Sequence, residues 1–175
     1  MSQLKTMEAY RVIDAYKMNL LRYSPEQLRH IPAEGTWSLC QLYDHMILTA
    51  LDYLDMVEKC AESGEGQELG KTEGGEELFR LGGFPPVKIK PPDGPENSPD
   101  NTASKDDLMH GLDQVVLRMK EWEKILETTP PEGKVKHDGF GWLNGREWFE
   151  LIGMHFRHHL RQKNELEQHW LSSHP

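Results

Sequence analysis

Apolar positions recur at a helical spacing through four stretches of the chain, and polar or Gly/Pro-rich segments separate them. In the first stretch, about 5–21, Ala9, Tyr10, Ile13, Tyr16 and Leu20 form one stripe. SPEQL and IPAEGTWS then read as a connection, because Pro25, Pro32 and Gly35 interrupt the pattern. Ser38 with Gln41 forms a capping box, so a second helix starts there and runs to about residue 61. Its core stripe is Leu39, Met46, Ala50, Tyr53 and Val57, with His45 on the margin, a position suited to a group that faces a cleft. Ser104 and Asp107 open a third helix. There Leu108, Leu112, Val115, Met119, Trp122 and Leu126 line up within about 80°, and TTPPEG ends the run.

The fourth stretch, 144–170, reads as one helix of roughly seven turns. Asn144 caps it and Glu147 reaches back, while Trp148, Leu151, Ile152, Leu166 and Trp170 share a face. The segment before it, KVKHDGFGW, reads as a short loop with tight turns at its glycines. Four amphipathic helices without an alternating strand pattern predict an all-α four-helix bundle, a single domain over 1–175. No internal repeat is visible.

The segment 62–102 differs in character, with Gly, Pro, Glu and Lys dominant and proline pairs at Pro85-Pro86 and Pro91-Pro92. A connection of about 40 residues without periodicity is unusual in a compact domain. Leu78, Phe79, Leu81, Phe84, Val87 and Ile89 imply that part of it packs, as a short helix and an extended run. A lid over a site and a plain surface excursion are equally good readings of it.

Composition narrows the function. The 175 residues are 37% hydrophobic and 28% charged, enough for one soluble domain with a core. A net charge of −9 and scattered Lys and Arg argue against a nucleic-acid partner. The longest uncharged apolar run, 46–51, is too short to span a bilayer, and MSQLKTMEAYRV has no signal-peptide core. A cytoplasmic location is therefore expected. Cys40 and Cys60 fall on one helix about 30 Å apart, too far to pair, and neither has an activating context.

Candidate chemistry lies in the nine histidines. His155 and His159 stand one turn apart on the buried stripe of the last helix, a spacing that lets two imidazoles share one metal ion. His158 points roughly 100° away from His159. The plainer alternative is a pair of core histidines bonded to polar neighbours. His45, on another helix, can complete a three-His site that leaves one coordination position for water or substrate. HFRHH lacks the Glu that a zinc-protease helix uses as its base. A di-iron bundle needs two Glu-x-x-His pairs, and the chain offers only Asp107 and His110 at that spacing. His30, His110, His137, His169 and His174 read as solvated or locally hydrogen-bonded. There is no Gly-x-Ser-x-Gly, no cysteine cluster for a zinc finger and no phosphate-loop lysine in ESGEGQELG or TEGGEEL. Trp37, Trp122, Trp142 and Trp148 are expected as core or cleft walls.

GTWSLCQLYDHM, followed after a long gap by GFGWLNGREWFELIGMHFRHHLRQKNELE, resembles the DinB-like superfamily. The likeness is loose over most of the chain and sharpest at 140–166. That family's pattern is a His in the second helix, a Gly-x-Leu-x-x-x-Glu run, and His-x-x-x-His followed by Gln. Here those positions are His45, then Gly141, Leu143 and Glu147, then His155, His159 and Gln162. The resemblance implies one divalent metal, zinc or nickel, on His45, His155 and His159, with solvent completing the shell. It also implies an up-down-down-up bundle with a long crossover between its second and third helices, which 62–102 supplies. Relatives include S-transferases and isomerases using low-molecular-weight thiols and proteins described as metal-dependent hydrolases, and many are dimers. The expectation is a homodimeric metal-dependent hydrolase or thiol S-transferase acting on a small molecule, with Gln162 or a glutamate orienting the imidazoles. The alternative is a non-catalytic metal-binding or protein-interaction bundle.

Overall fold

The computed structural model describes residues 3–63, 67–85 and 98–175. Four long helical elements build the bundle: α1 (Gln3–Leu20), α3 (Leu39–Glu62), α5 (Lys105–Leu126), and α6 (Gly145–His158) continued by α7 (Leu160–Ser173). Each of α3, α5 and α6 begins with a reciprocal capping box, at Ser38/Gln41, Ser104/Asp107 and Asn144/Glu147. Each box satisfies donors that a helix start would otherwise leave orphaned, so the boundaries follow the caps.

Pairwise contacts fix the helix directions. Lys5 meets Glu150 at 2.8 Å and the Tyr16 hydroxyl donates to the Phe156 carbonyl at 3.0 Å, so α1 and α6 run parallel. Between those points Gly153 lies against Ala9, and a Cβ added there would stand 2.8 Å from the alanine Cβ. Gly111 lies against Ile47, and Arg118 pairs with Asp55 at 2.8 Å, so α3 and α5 are also parallel. His45 faces His155 while Tyr53 faces Trp148, which makes α3 and α6 antiparallel. Lys17–Asp113 and Tyr10–Glu123 do the same for α1 and α5. The bundle is therefore up-down-down-up, and the parallel pair α3/α5 requires the long crossover.

The expected stripes are buried, with Tyr16, Met46, Val57, Leu112, Leu151 and Ile152 among the residues closed to solvent. Tyr10, Trp122, Leu166 and Trp170 are only half-buried. Several local readings need correction. SPEQLR is not simple connection: α2 (Pro25–Arg29) forms one turn there, because Ser24 accepts from the Gln27 N–H and Pro25 occupies the first turn. KVKHDGFGW is not a plain loop but most of an antiparallel hairpin, β1 (Lys134–His137) with β2 (Gly141–Asn144), in register Val135↔Leu143. Its strands are too short for alternation to stand out from a turn. Gly141, at φ +81, also bridges Lys71, and an added Cβ would lie 2.7 Å from the Thr72 nitrogen. The single helix expected over 144–170 is interrupted at His159, whose ψ of −3 departs from helical values. In the crossover, α4 (Glu73–Leu81) is the short helix expected, with Leu78 buried. Val87 and Ile89 lie outside the described residues.

Candidate metal centre

Three elements converge on one point. α3 presents His45, the last turn of α6 presents His155, and the residue joining α6 to α7 is His159. His45 Nε2 and His159 Nε2 each lie 3.1 Å from His155 Nε2, and one ligand atom from each ring falls within 4.8 Å of the others. Imidazoles bound to a tetrahedral ion at about 2.0–2.1 Å place their nitrogens roughly 3.3 Å apart. The observed spacing is close to that of a ligand set around one ion. His45 is 5% exposed and His155 8%. His45 is thus interior rather than marginal, because α3 is covered by α6 as well as α5 and its apolar stripe is wider than one face.

Protonation favours the same use. Burial pushes His155 well below its ordinary value, and the neighbouring rings of His159, His45 and His158 push it further. Burial lowers His159 to about 4 against the opposing bond to Gln162, with His45 and His158 adding to the fall. Near neutral pH these two imidazoles are uncharged and carry the lone pairs a cation needs. Gln162 Oε1 lies 2.8 Å from His159 Nδ1. An oxygen there accepts, so Nδ1 holds the proton and Nε2 is left bare toward the other rings. Gln162 is therefore the orienting residue.

Aromatic rings wall the centre. Trp37 lies 5.0 Å from His45, Tyr53 6.1 Å from His155, and Phe84 6.2 Å from His155 and 5.2 Å from His158, as ring centroids. Phe84 belongs to the crossover. The left-handed Gly82 ends α4, and Arg157 donates to its carbonyl at 3.0 Å, which brings the following residues beside α6. The described part of the crossover thus reaches the site. In the sequence Phe84 was one of several apolar residues, and nothing marked what it would pack on.

Thr49 stands one turn beyond His45 and one turn before Tyr53 on the same face of α3. Its hydroxyl is the one buried side-chain oxygen or nitrogen without a partner among the described residues. Cys40 and Cys60 are free, and burial raises both thiols, Cys60 to about 11, so neither is a thiolate at neutral pH. His137 is locally bonded, as expected, accepting from the Gly139 and Phe140 N–H groups. His169 is exposed and His30 half-exposed, in keeping with the solvated reading, but they also meet each other across the fold, with nitrogens 3.3 Å apart. Trp148 is core, whereas Trp37 is a wall of the centre.

The sequence profile of the DinB superfamily matches residues 9–162, a span that includes all three histidines and Gln162. The chain belongs to the DinB superfamily. None of the curated proteins matches it. A solved crystal structure of TT2238, described as a four-helix bundle protein, is similar to this DinB-superfamily chain with a TM-score of 0.53 at 17% identity. The match covers 90% of this chain and 97% of that one, and it shows the shared fold alone. No helix among the described residues is long and apolar enough to cross a membrane.

Proposed function

We propose that this DinB-superfamily chain is a metal-dependent enzyme that holds one divalent ion, zinc or nickel, on His45, His155 and His159. Its substrate is a small molecule, and its reaction is hydrolysis or transfer to a low-molecular-weight thiol. The observation that carries the reading is the approach of His45 Nε2 and His159 Nε2 to within 3.1 Å of His155 Nε2, with one ligand atom of each ring within 4.8 Å of the others, in a largely buried position. Neutral rings at such distances share few protons, whereas a single cation accepts all three lone pairs. When bound, such an ion lowers the pKa of a water or thiol in its open position and polarises a substrate oxygen.

The chain's own residues do the rest. Gln162 fixes the tautomer and ring angle of His159. Trp37, Tyr53 and Phe84 lower the local dielectric and exclude bulk water, which strengthens the field of any bound charge. The family relation supports a homodimer, which a sedimentation measurement would check. The near-complete burial of His45 and His155 favours one second reading, a metal sensor or structural metal site without turnover.

Elemental analysis of dialysed, untagged protein beside a His159→Ala variant tests the metal. About one ion per chain, absent from the variant, is the expected result. A metal-free wild type after zinc and nickel are restored, or a variant that keeps its full ion, overturns the assignment. Hydrolase and thiol-transfer assays on the loaded protein then separate the readings, since an enzyme shows turnover that His159→Ala abolishes and a sensor shows none.

A further inference from the structure

The second histidine cluster lies at the other end of α7. His30 closes α2 in an extended conformation, and His169 is exposed on the penultimate turn of α7. Their nitrogens, His30 Nε2 and His169 Nδ1, are 3.3 Å apart, although 139 residues separate them in the chain. The ring centroids are 5.4 Å apart with 28° between the planes, an offset stack that still brings one nitrogen of each ring together. A closer stack lies beside them, where Trp170 and His174 lie at 3.6 Å and 18°. The separation of 3.3 Å, within hydrogen-bond reach, also matches that of two nitrogens on one tetrahedral ion, about 3.3 Å.

A third imidazole lies nearby, although its ligand atoms do not stand within 4.8 Å of both others as those of the buried centre do. The His174 ring is 5.8 Å from the His30 ring, and its Nδ1 lies 3.1 Å from the Trp170 carbonyl. A carbonyl can only accept, so Nδ1 carries the proton and Nε2 keeps its lone pair. The Trp170 indole lies 5.4 Å from His30 and covers one side of the pair.

We infer that His30 and His169, with His174 as an adaptable third donor, form a second binding site for a borderline first-row divalent cation. The ligand class is set by the donors: imidazoles take zinc, nickel and copper(II) and discriminate against magnesium and calcium. Bound there, the ion ties the C-terminal half of α7 to the connection between α2 and α3. The site is open to solvent and has two preorganised ligands instead of three, so it binds more weakly than the buried centre. This inference does not depend on the enzyme reading, because no residue is shared with the three-His centre.

Zinc titration of the untagged, chelator-stripped full chain by calorimetry, with His30→Ala/His169→Ala and His45→Ala/His159→Ala variants alongside, tests it. The wild type should take two ions per chain in two affinity classes, and each double variant should keep one. The His30→Ala/His169→Ala protein should lose the weaker class and keep the tighter. With the buried centre preloaded with one equivalent of zinc, substoichiometric copper(II) should broaden the ring resonances of His30 and His169. A zinc stoichiometry that His30→Ala/His169→Ala leaves at the wild-type value, or unbroadened His30 and His169 rings, would overturn the inference. Failure of the proposed three-His centre alone would look different: the wild type would take one ion, the His45→Ala/His159→Ala protein would bind as the wild type does, and copper(II) would still broaden the His30 and His169 rings.

Discussion

Two buried polar clusters lie on the last helical pair, about two turns apart, and they are satisfied in opposite ways. Around Lys163, 2% exposed, every charge has a counterpart. Its ammonium meets Glu167 at 2.8 Å and lies 5.9 Å over the Tyr16 ring, and the same carboxylate accepts from the Tyr23 hydroxyl. Such a cluster needs nothing from outside the chain. At His155 three imidazoles face one another, and the unpartnered Thr49 hydroxyl stands nearby on α3. The first arrangement pins α7 to α1 and to Tyr23 in the connection that follows α1. The second is a set of three imidazoles that could hold a cation. Whether a buried polar group finds its complement within the chain separates a structural cluster from a ligand site.

Breaking the closed cluster should have the largest effect. Glu167→Gln leaves the Lys163 charge buried without a carboxylate and should cost roughly 3 kcal/mol or more in urea unfolding, with metal content unchanged. Adding Lys163→Met should recover much of that loss, since the stranded charge is then gone. If Glu167→Gln unfolds with the wild-type midpoint, the contrast fails on its structural side.

The open cluster should respond to pH. In the metal-free protein the His155 and His159 rings stay neutral in the fold below their ordinary value of 6.5, while the unfolded chain takes up protons. Their lowered values therefore contribute stability that is full above pH 6.5 and is lost as the pH falls toward about 4. Thermal unfolding of metal-free protein across that window should show the loss, up to roughly 3 kcal/mol from His159 alone. Saturating zinc should hold the folded state to lower pH than the metal-free protein tolerates, because it occupies the lone pairs that protons would take. A flat pH profile would contradict the geometry.

Smaller effects sharpen the picture. Gln162→Ala removes the acceptor on His159 Nδ1 and should weaken zinc binding by about tenfold with little change in the fold, read by competition with a chromophoric chelator. Thr49→Val, close in shape, removes a buried hydroxyl that has no partner and should raise the stability of the metal-free protein by about 1 kcal/mol. A loss of stability there would mean that the hydroxyl has a partner, such as an ordered water.

Much of this was legible in the chain because its causes are local. Helix starts depend on a cap and a residue three positions later, and Ser38, Ser104 and Asn144 all cap as their sequences indicate. The pairing of His155 with His159 follows from helical periodicity alone. The α2 turn and the hairpin were obscured for a related reason: segments of four or five residues carry too few positions for a period to emerge.

What the sequence by itself determined was the set of amphipathic helices, their caps, the length of the crossover and the kind of donor atoms available. Only the tertiary structure decided that His45 is interior, that Phe84 walls the centre, and that His30 meets His169 across the fold. The physical reason is range. Hydrogen bonds at a cap and the stripe of a helix are closed within one or two turns. A ring facing another across helices depends on which faces pack, and on the side-chain volumes at crossings such as Gly153 against Ala9.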